Sequence, residues 1–84
     1  MMVKALAYLK EILSNYAETD QICMGIYQKL DERNYPSELS FVKDLSSDES
    51  NYLNELLPDE IEYANDEQDQ LRASQLNEIF ELLL

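Results

Sequence analysis

Apolar side chains return every third or fourth residue along this chain, and almost nothing interrupts them. Met2, Leu6, Leu9, Leu13 and Tyr16 recur at steps of four, three, four and three, which lays one apolar stripe along a helix. Ile22, Cys23, Ile26, Tyr27 and Leu30 do the same on a second helix, and Leu76, Ile79, Phe80 and Leu83 on the last. With one Gly and two Pro in 84 residues there are too few turn signals for a many-stranded sheet. The expected fold class is therefore all-α, a small helical bundle of four to five helices with a long C-terminal helix. The length admits a single domain, and a chain this short hides only roughly 60–65% of its extended surface, so its core is thin.

The patterning places helices at 2–17, 20–33, 37–45, 47–57 and 59–83. Thr19 or Asp20 caps the second, Lys29 and Arg33 suit the dipole of its last turns, and Asn34 is a left-handed exit residue. Tyr35-Pro36-Ser37 breaks the pattern, because the residue before proline is driven out of the helical region. The third helix turns Leu39, Val42 and Leu45 inward, with Phe41 at its edge. Ser46-Ser47-Asp48-Glu49 is a capping box that opens the fourth, with Leu53, Leu56, Leu57 and Ile61 as its stripe. Pro58 either starts a new helix at its first turn or kinks a continuing one. Asn65 to Gln70 are all polar, so 59–83 is expected as one helix with a solvated middle. At ~1.5 Å per residue it would run roughly 40 Å, so its end projects or a second copy covers it.

Charge is divided unevenly. Residues 1–43 carry six acids and five bases, whereas residues 44–84 carry twelve acids and only Arg72. Nucleic-acid binding needs cations that displace counterions from phosphates, and an anionic membrane needs them too; neither partner suits a net charge of −12. No run approaches the ~20 apolar residues of a bilayer span, and Lys10 and Glu11 interrupt the N-terminal region where a signal peptide would stay apolar. A cytoplasmic location is the expectation. An acidic surface keeps a monomer soluble and attracts basic partners.

Little in the composition supports catalysis. There is no His, and Cys23 is the lone Cys, so Cys/His zinc sites, disulfides and Ser-His or Cys-His nucleophile pairs are all excluded. Calcium loops opened at Asn65 or Asp66 lack the required Gly and the terminal Glu. Asp59, Glu60, Glu62, Asp66, Glu67 and Asp69 include neighbours at helical spacing. Their surroundings are Asn, Gln and more acids, which cannot separate the pKa values of two carboxylates, so they form a solvated face. Cys23 suits the core, and Gly25 marks close approach of another helix, since it costs its own helix about 1 kcal/mol relative to Ala. The Tyr rings line the core edge, with some able to anchor a protein interface. Leu82-Leu83-Leu84 must dock on the body, fray or meet a partner. The expected contact residues are Asp59, Glu62, Asp66, Asp69, Phe80, Leu83 and Leu84, with a protein partner or a homodimer as occupant and no cofactor, metal or small-molecule substrate.

Tyr63-Ala64, Glu67-Gln68-Asp69-Gln70, Arg72-Ala73, Leu76-Asn77-Glu78 and Glu81-Leu82-Leu83-Leu84 resemble the CsgA family of sigma-G-dependent, sporulation-specific proteins of spore-forming Bacilli, catalogued with small acid-soluble spore proteins. Ile22-Cys23, Phe41-Val42-Lys43-Asp44-Leu45 and Tyr52-Leu53-Asn54 extend the resemblance over nearly the whole chain, with Pro58 as a departure from it. The resemblance implies expression in the developing forespore and an intracellular role in sporulation, and it carries over no catalytic or ligand residues. The DNA-coating spore proteins share only the catalogue label, and the charge argues against their activity here. The expected function is that of a non-enzymatic acidic sporulation protein acting through protein contacts or self-association. The alternative is an acidic inhibitor that mimics nucleic acid on a basic target.

Overall fold

A computed structural model describes residues 3–83, so the expectations for Met2 and Leu84 lie outside the described residues. Five helices follow one another, α1 (Lys4–Ser14), α2 (Gln21–Glu32), α3 (Glu38–Lys43), α4 (Ser47–Asp66) and α5 (Gln70–Leu82), with no strand among the described residues. The all-α bundle is as the periodicity predicts. Helix α5 is the central element and packs against α4, α1 and α3, while α2 bridges α1 and α4. The core is built from Leu6, Leu9, Leu13, Ile26, Leu30, Phe41, Leu53, Leu57, Leu76 and Ile79, each almost completely buried.

The expected rod over 59–83 does not exist. Helix α4 continues through Pro58 and ends at Asp66, and the chain reverses over Glu67-Gln68-Asp69. Pro58 lies on an exposed face, where water can stand in for the amide that the Asn54 carbonyl loses. The break falls instead within the polar run. The Gln68 amide donates to the Asn65 carbonyl and the Asp69 amide to the Ala64 carbonyl at 2.8 Å. This is a Schellman closure, with Gln68 at φ 59° where glycine usually sits. Folding α5 back brings the largest extent of the molecule to 30 Å and its radius of gyration to 11.8 Å. A single compact domain of this length is expected at about 12 Å.

Other departures have equally local causes. After Ser14 the chain tightens into turns, with Asn15 donating to Ile12, Tyr16 to Leu13 and Thr19 to Tyr16. This change of pitch turns Ala17 inward in place of Tyr16, which is exposed. Asp20 is the cap of α2, accepting from the amides of Ile22 and Cys23, and Ile22 in that first turn faces outward. Asn34 does not exit left-handed; Gln68 alone has positive φ among the described residues. Helix α3 is rotated from the expected face, with Phe41 fully buried and Leu39 exposed. Phe41 fills more volume than Leu39 and meets Tyr35 edge to face at 5.4 Å. The helix opens on a capping box of Ser37 and Ser40.

Candidate functional site

Helix α4 presents the most charged surface. Glu55, Asp59, Glu62 and Asp66 follow one another at steps of four, three and four and are all exposed, so they form one stripe on its outer side. Tyr63 stands beside them, the most open large apolar side chain among the described residues at 62% exposure. No cation among the described residues pairs with any of these four acids. Lys10 binds Asp31, Lys29 binds Glu49, Arg33 binds Asp44, and Arg72 binds Glu11 and Asp69. The acids also run against the helix dipole. Asp48 and Glu49 occupy the first turn, where negative charge is favoured, but the last turn holds no basic residue.

The expected contact residues thus separate by role. Asp59, Glu62 and Asp66 share the stripe. Asp69 does not join it, because its carboxylate caps α5 through the Arg72 amide at 3.1 Å and pairs with the Arg72 guanidinium. Phe80 and Leu83 are half-buried and pack against the core, while Leu82 is exposed. Glu55 is the member that sequence reasoning misses. It lies four residues before Asp59 across Pro58, and a helix assumed to end at 57 hides that spacing.

The remaining polar groups hold the bundle together. The Lys29 ammonium donates to the Asp44 carbonyl at 2.7 Å and to Glu49 Oε1 at 2.6 Å, and the Ser46 amide donates to the same Glu49 oxygen at 2.9 Å. One lysine on α2 thereby ties the end of α3 to the start of α4. Burial pushes the Glu49 carboxyl up, but Lys29 and the Ser46 groups outweigh it and hold it below the ordinary carboxylate value. Asp44 accepts from the Tyr35 hydroxyl at 2.5 Å and from the Arg33 guanidinium. The Tyr35 and Arg33 bonds lower its pKa. The Arg72 guanidinium stacks over the Tyr8 ring at 4.9 Å and reaches Glu11 at 3.3 Å, so the single cation of the C-terminal half fastens α5 to α1.

No polar or charged residue is buried among the described residues, and none of their acids and Cys23 gather into a group able to hold a metal ion. An open groove of about 280 Å³ between α1 and α2 is lined by Ala7, Lys10, Glu11, Ser14 and Tyr27. Lys10 is held at its edge by Asp31 at 2.9 Å and lies 5.7 Å over the Tyr27 ring. Cys23 is buried, its thiol donating to the Leu13 carbonyl at 3.4 Å, and burial pushes its pKa up, away from a reactive thiolate. No described helix is long and apolar enough to cross a membrane.

Comparison with known proteins gives the chain relatives. A curated protein of Bacillus subtilis (strain 168), named "Sigma-G-dependent sporulation-specific SASP protein", is 49% identical over 79 residues, covering 94% of this chain and 95% of the relative. No solved structure matches. A family described as CsgA, minor curli fiber component A, matches residues 2–84. By that match, and by a relative of such identity and coverage, the chain belongs to the CsgA family.

Proposed function

We propose that this is a non-enzymatic sporulation protein of the forespore cytoplasm, working through protein contacts made by the outer face of α4. The name of the Bacillus subtilis relative supports the developmental setting. The observation that carries the mechanism is the placement of Glu55, Asp59, Glu62 and Asp66. Like charges three or four residues apart cost a helix about 0.2–0.5 kcal/mol per pair. Acids near a helix C-terminus also oppose the dipole. A stripe kept at that cost, with no ion pair to any cation among the described residues, suits a basic protein surface. The absence of buried carboxylates among the described residues weighs against acid–base chemistry, which needs burial to set one carboxyl pKa apart from another. The fibre component in the family description is not carried over, because no strand among the described residues offers an edge for a ladder.

A second reading is that the stripe imitates a phosphate backbone and blocks a nucleic-acid-binding protein. The regular run of carboxylates along one helix face favours it. The test is capture from an extract of sporulating cells on the immobilised chain, compared with the variant Asp59→Asn, Glu62→Gln, Asp66→Asn. The intact chain should retain a basic protein that leaves at high salt, and the variant should lose it. Equal retention by both, or by neither, removes the acidic face as a contact surface. Displacement of the captured protein by duplex DNA selects mimicry; persistence in the presence of DNA leaves simple protein contact.

A further inference from the structure

We propose that the turn joining α4 to α5 is a hinge, and that straightening it produces a dimer in which two copies exchange α5. The exchange gives structure to the self-association expected from the sequence, and it is independent of the acidic contact face.

Three observations meet at this turn. Gln68 holds a left-handed backbone without being glycine, at φ 59°, a conformation that costs an L-residue roughly 1–2 kcal/mol. The hinge is short and open, with Glu67 and Gln68 exposed and Asp69 half-exposed. No Gly or Pro occurs from Asp59 to Leu83 and Glu, Gln and Leu are good helix formers, so a continuous helix is opposed there only by Asn65, Asp66 and Asp69 and by the like-charge pair Asp66/Asp69. Strained short hinges favour exchange of whole elements between identical chains.

The phase of the two helices decides what a straightened chain would do. Helix α4 buries Leu53, Leu57 and Ala64, and α5 buries Ala73, Leu76 and Ile79. On one unbroken helix the second set would stand about a third of a turn round from the first. While α4 stays on its own body, the α5 stripe then faces away from it, uncovered. A second copy opened in the same way has a vacant seat formed by its α1, α3 and α4, the elements that α5 packs against. Reciprocal exchange restores every contact of α5, including Arg72 on Tyr8 and Glu11, now of the other copy. It removes the left-handed residue from both chains, and it makes the Asp69 cap redundant because the Arg72 amide gains a helical partner. Opposing it are the lost freedom of one molecule and the meeting of two chains of charge −12. Dilute, low-salt conditions therefore keep the closed monomer, and concentration with salt favours exchange.

The experiment is refolding of the full chain from urea at high protein concentration and raised salt, followed by sedimentation. Wild-type protein should yield a dimer that persists on dilution, because release needs the bundle to open. Gln68→Gly relieves the turn and weakens the straight helix, so the dimer constant should fall by roughly tenfold or more. Gln68→Val makes the turn worse at small helical cost and should raise it. In a mixture of isotope-labelled and unlabelled chains, intermolecular NOEs should connect α5 of one copy with α1 of the other. A monomer mass for wild type and Gln68→Val at every concentration overturns the proposal. So does a dimer indifferent to Gln68→Gly and lacking those NOEs, which would be a surface contact. If Gln68→Val loses its circular dichroism, wild type against Gln68→Gly decides. The acid-neutralised variant should exchange at least as readily as wild type, which separates this outcome from that of the contact face.

Discussion

Gln68 and Gly25 occupy opposite situations. Gln68 takes a left-handed conformation that a glycine would adopt freely, while Gly25 sits inside a helix that an alanine would strengthen. Gln68→Gly should therefore stabilise the monomer by about 1 kcal/mol, read as a rise of several degrees in Tm in dilute protein. The same reasoning does not make Gly25→Ala a simple gain. A Cβ at Gly25 would lie 3.3 Å from Glu49 Oε2 on α4, tight enough that the carboxylate must yield. That carboxylate also holds Lys29 at 2.6 Å. Gly25→Ala should gain about 1 kcal/mol in a Glu49→Ala background and distinctly less in wild type. Urea melts of the four proteins measure the coupling; equal gains in both backgrounds would show that Glu49 does not feel the added methyl.

At the level of elements, the junction of α2, α3 and α4 depends on one charged pair. Glu49 has a folded pKa below its unfolded value, held there by Lys29 and Ser46 against the opposing effect of burial. Its contribution is full above the unfolded carboxylate value of about 4.3 and disappears as pH falls through the lower folded value. Glu49→Gln should cost about 1 kcal/mol at pH 7, and the two melting curves should converge as pH drops below 4. A constant gap down to pH 3 would show that the pair has no ionic component. This box was legible in the sequence because Ser46 and Glu49 stand three apart before an apolar stripe. The reversal at 67–69 was not, since a Schellman closure is normally announced by Gly or Asn and here uses Gln. At Pro58 the sequence left a new start and a continuing helix both open, and the bounds drawn at 57 and 59 took the wrong one, because whether water can compensate for the lost amide depends on which face the proline occupies. The rotation of α3 was equally hidden, because a six-residue helix has too few apolar positions to fix its own phase. Tyr35, outside that helix, meets the inward Phe41 ring edge to face.

For the molecule as a whole the governing quantity is surplus negative charge. Of six cations, Lys10, Lys29, Arg33 and Arg72 are already spent on internal pairs, so twelve net negative charges repel one another in the folded state. Salt acts on this surplus and on the pairs in opposite senses. Exposed pairs are worth about 0–1 kcal/mol each, and screening weakens them. Repulsion sums over many acids, and at 0.1 M salt it is cut off beyond about 10 Å. The repulsive term should win, and Tm should rise as sodium chloride increases from low concentration. The stripe on α4 supplies a separable share of that term. Asp59→Asn, Glu62→Gln and Asp66→Asn together relieve the like-charge pairs among Glu55, Asp59, Glu62 and Asp66, which together cost on the order of 1 kcal/mol. The neutralised protein should melt higher than wild type at low salt, and the difference should narrow as salt is added. Calorimetry across a salt series reads both effects. If neutralisation lowers Tm at low salt, the stripe contributes to the fold and the case for keeping it as a contact surface fails. If Tm rises while the basic partner is lost, stability and binding oppose one another at the same three carboxylates, as a surface maintained for recognition requires.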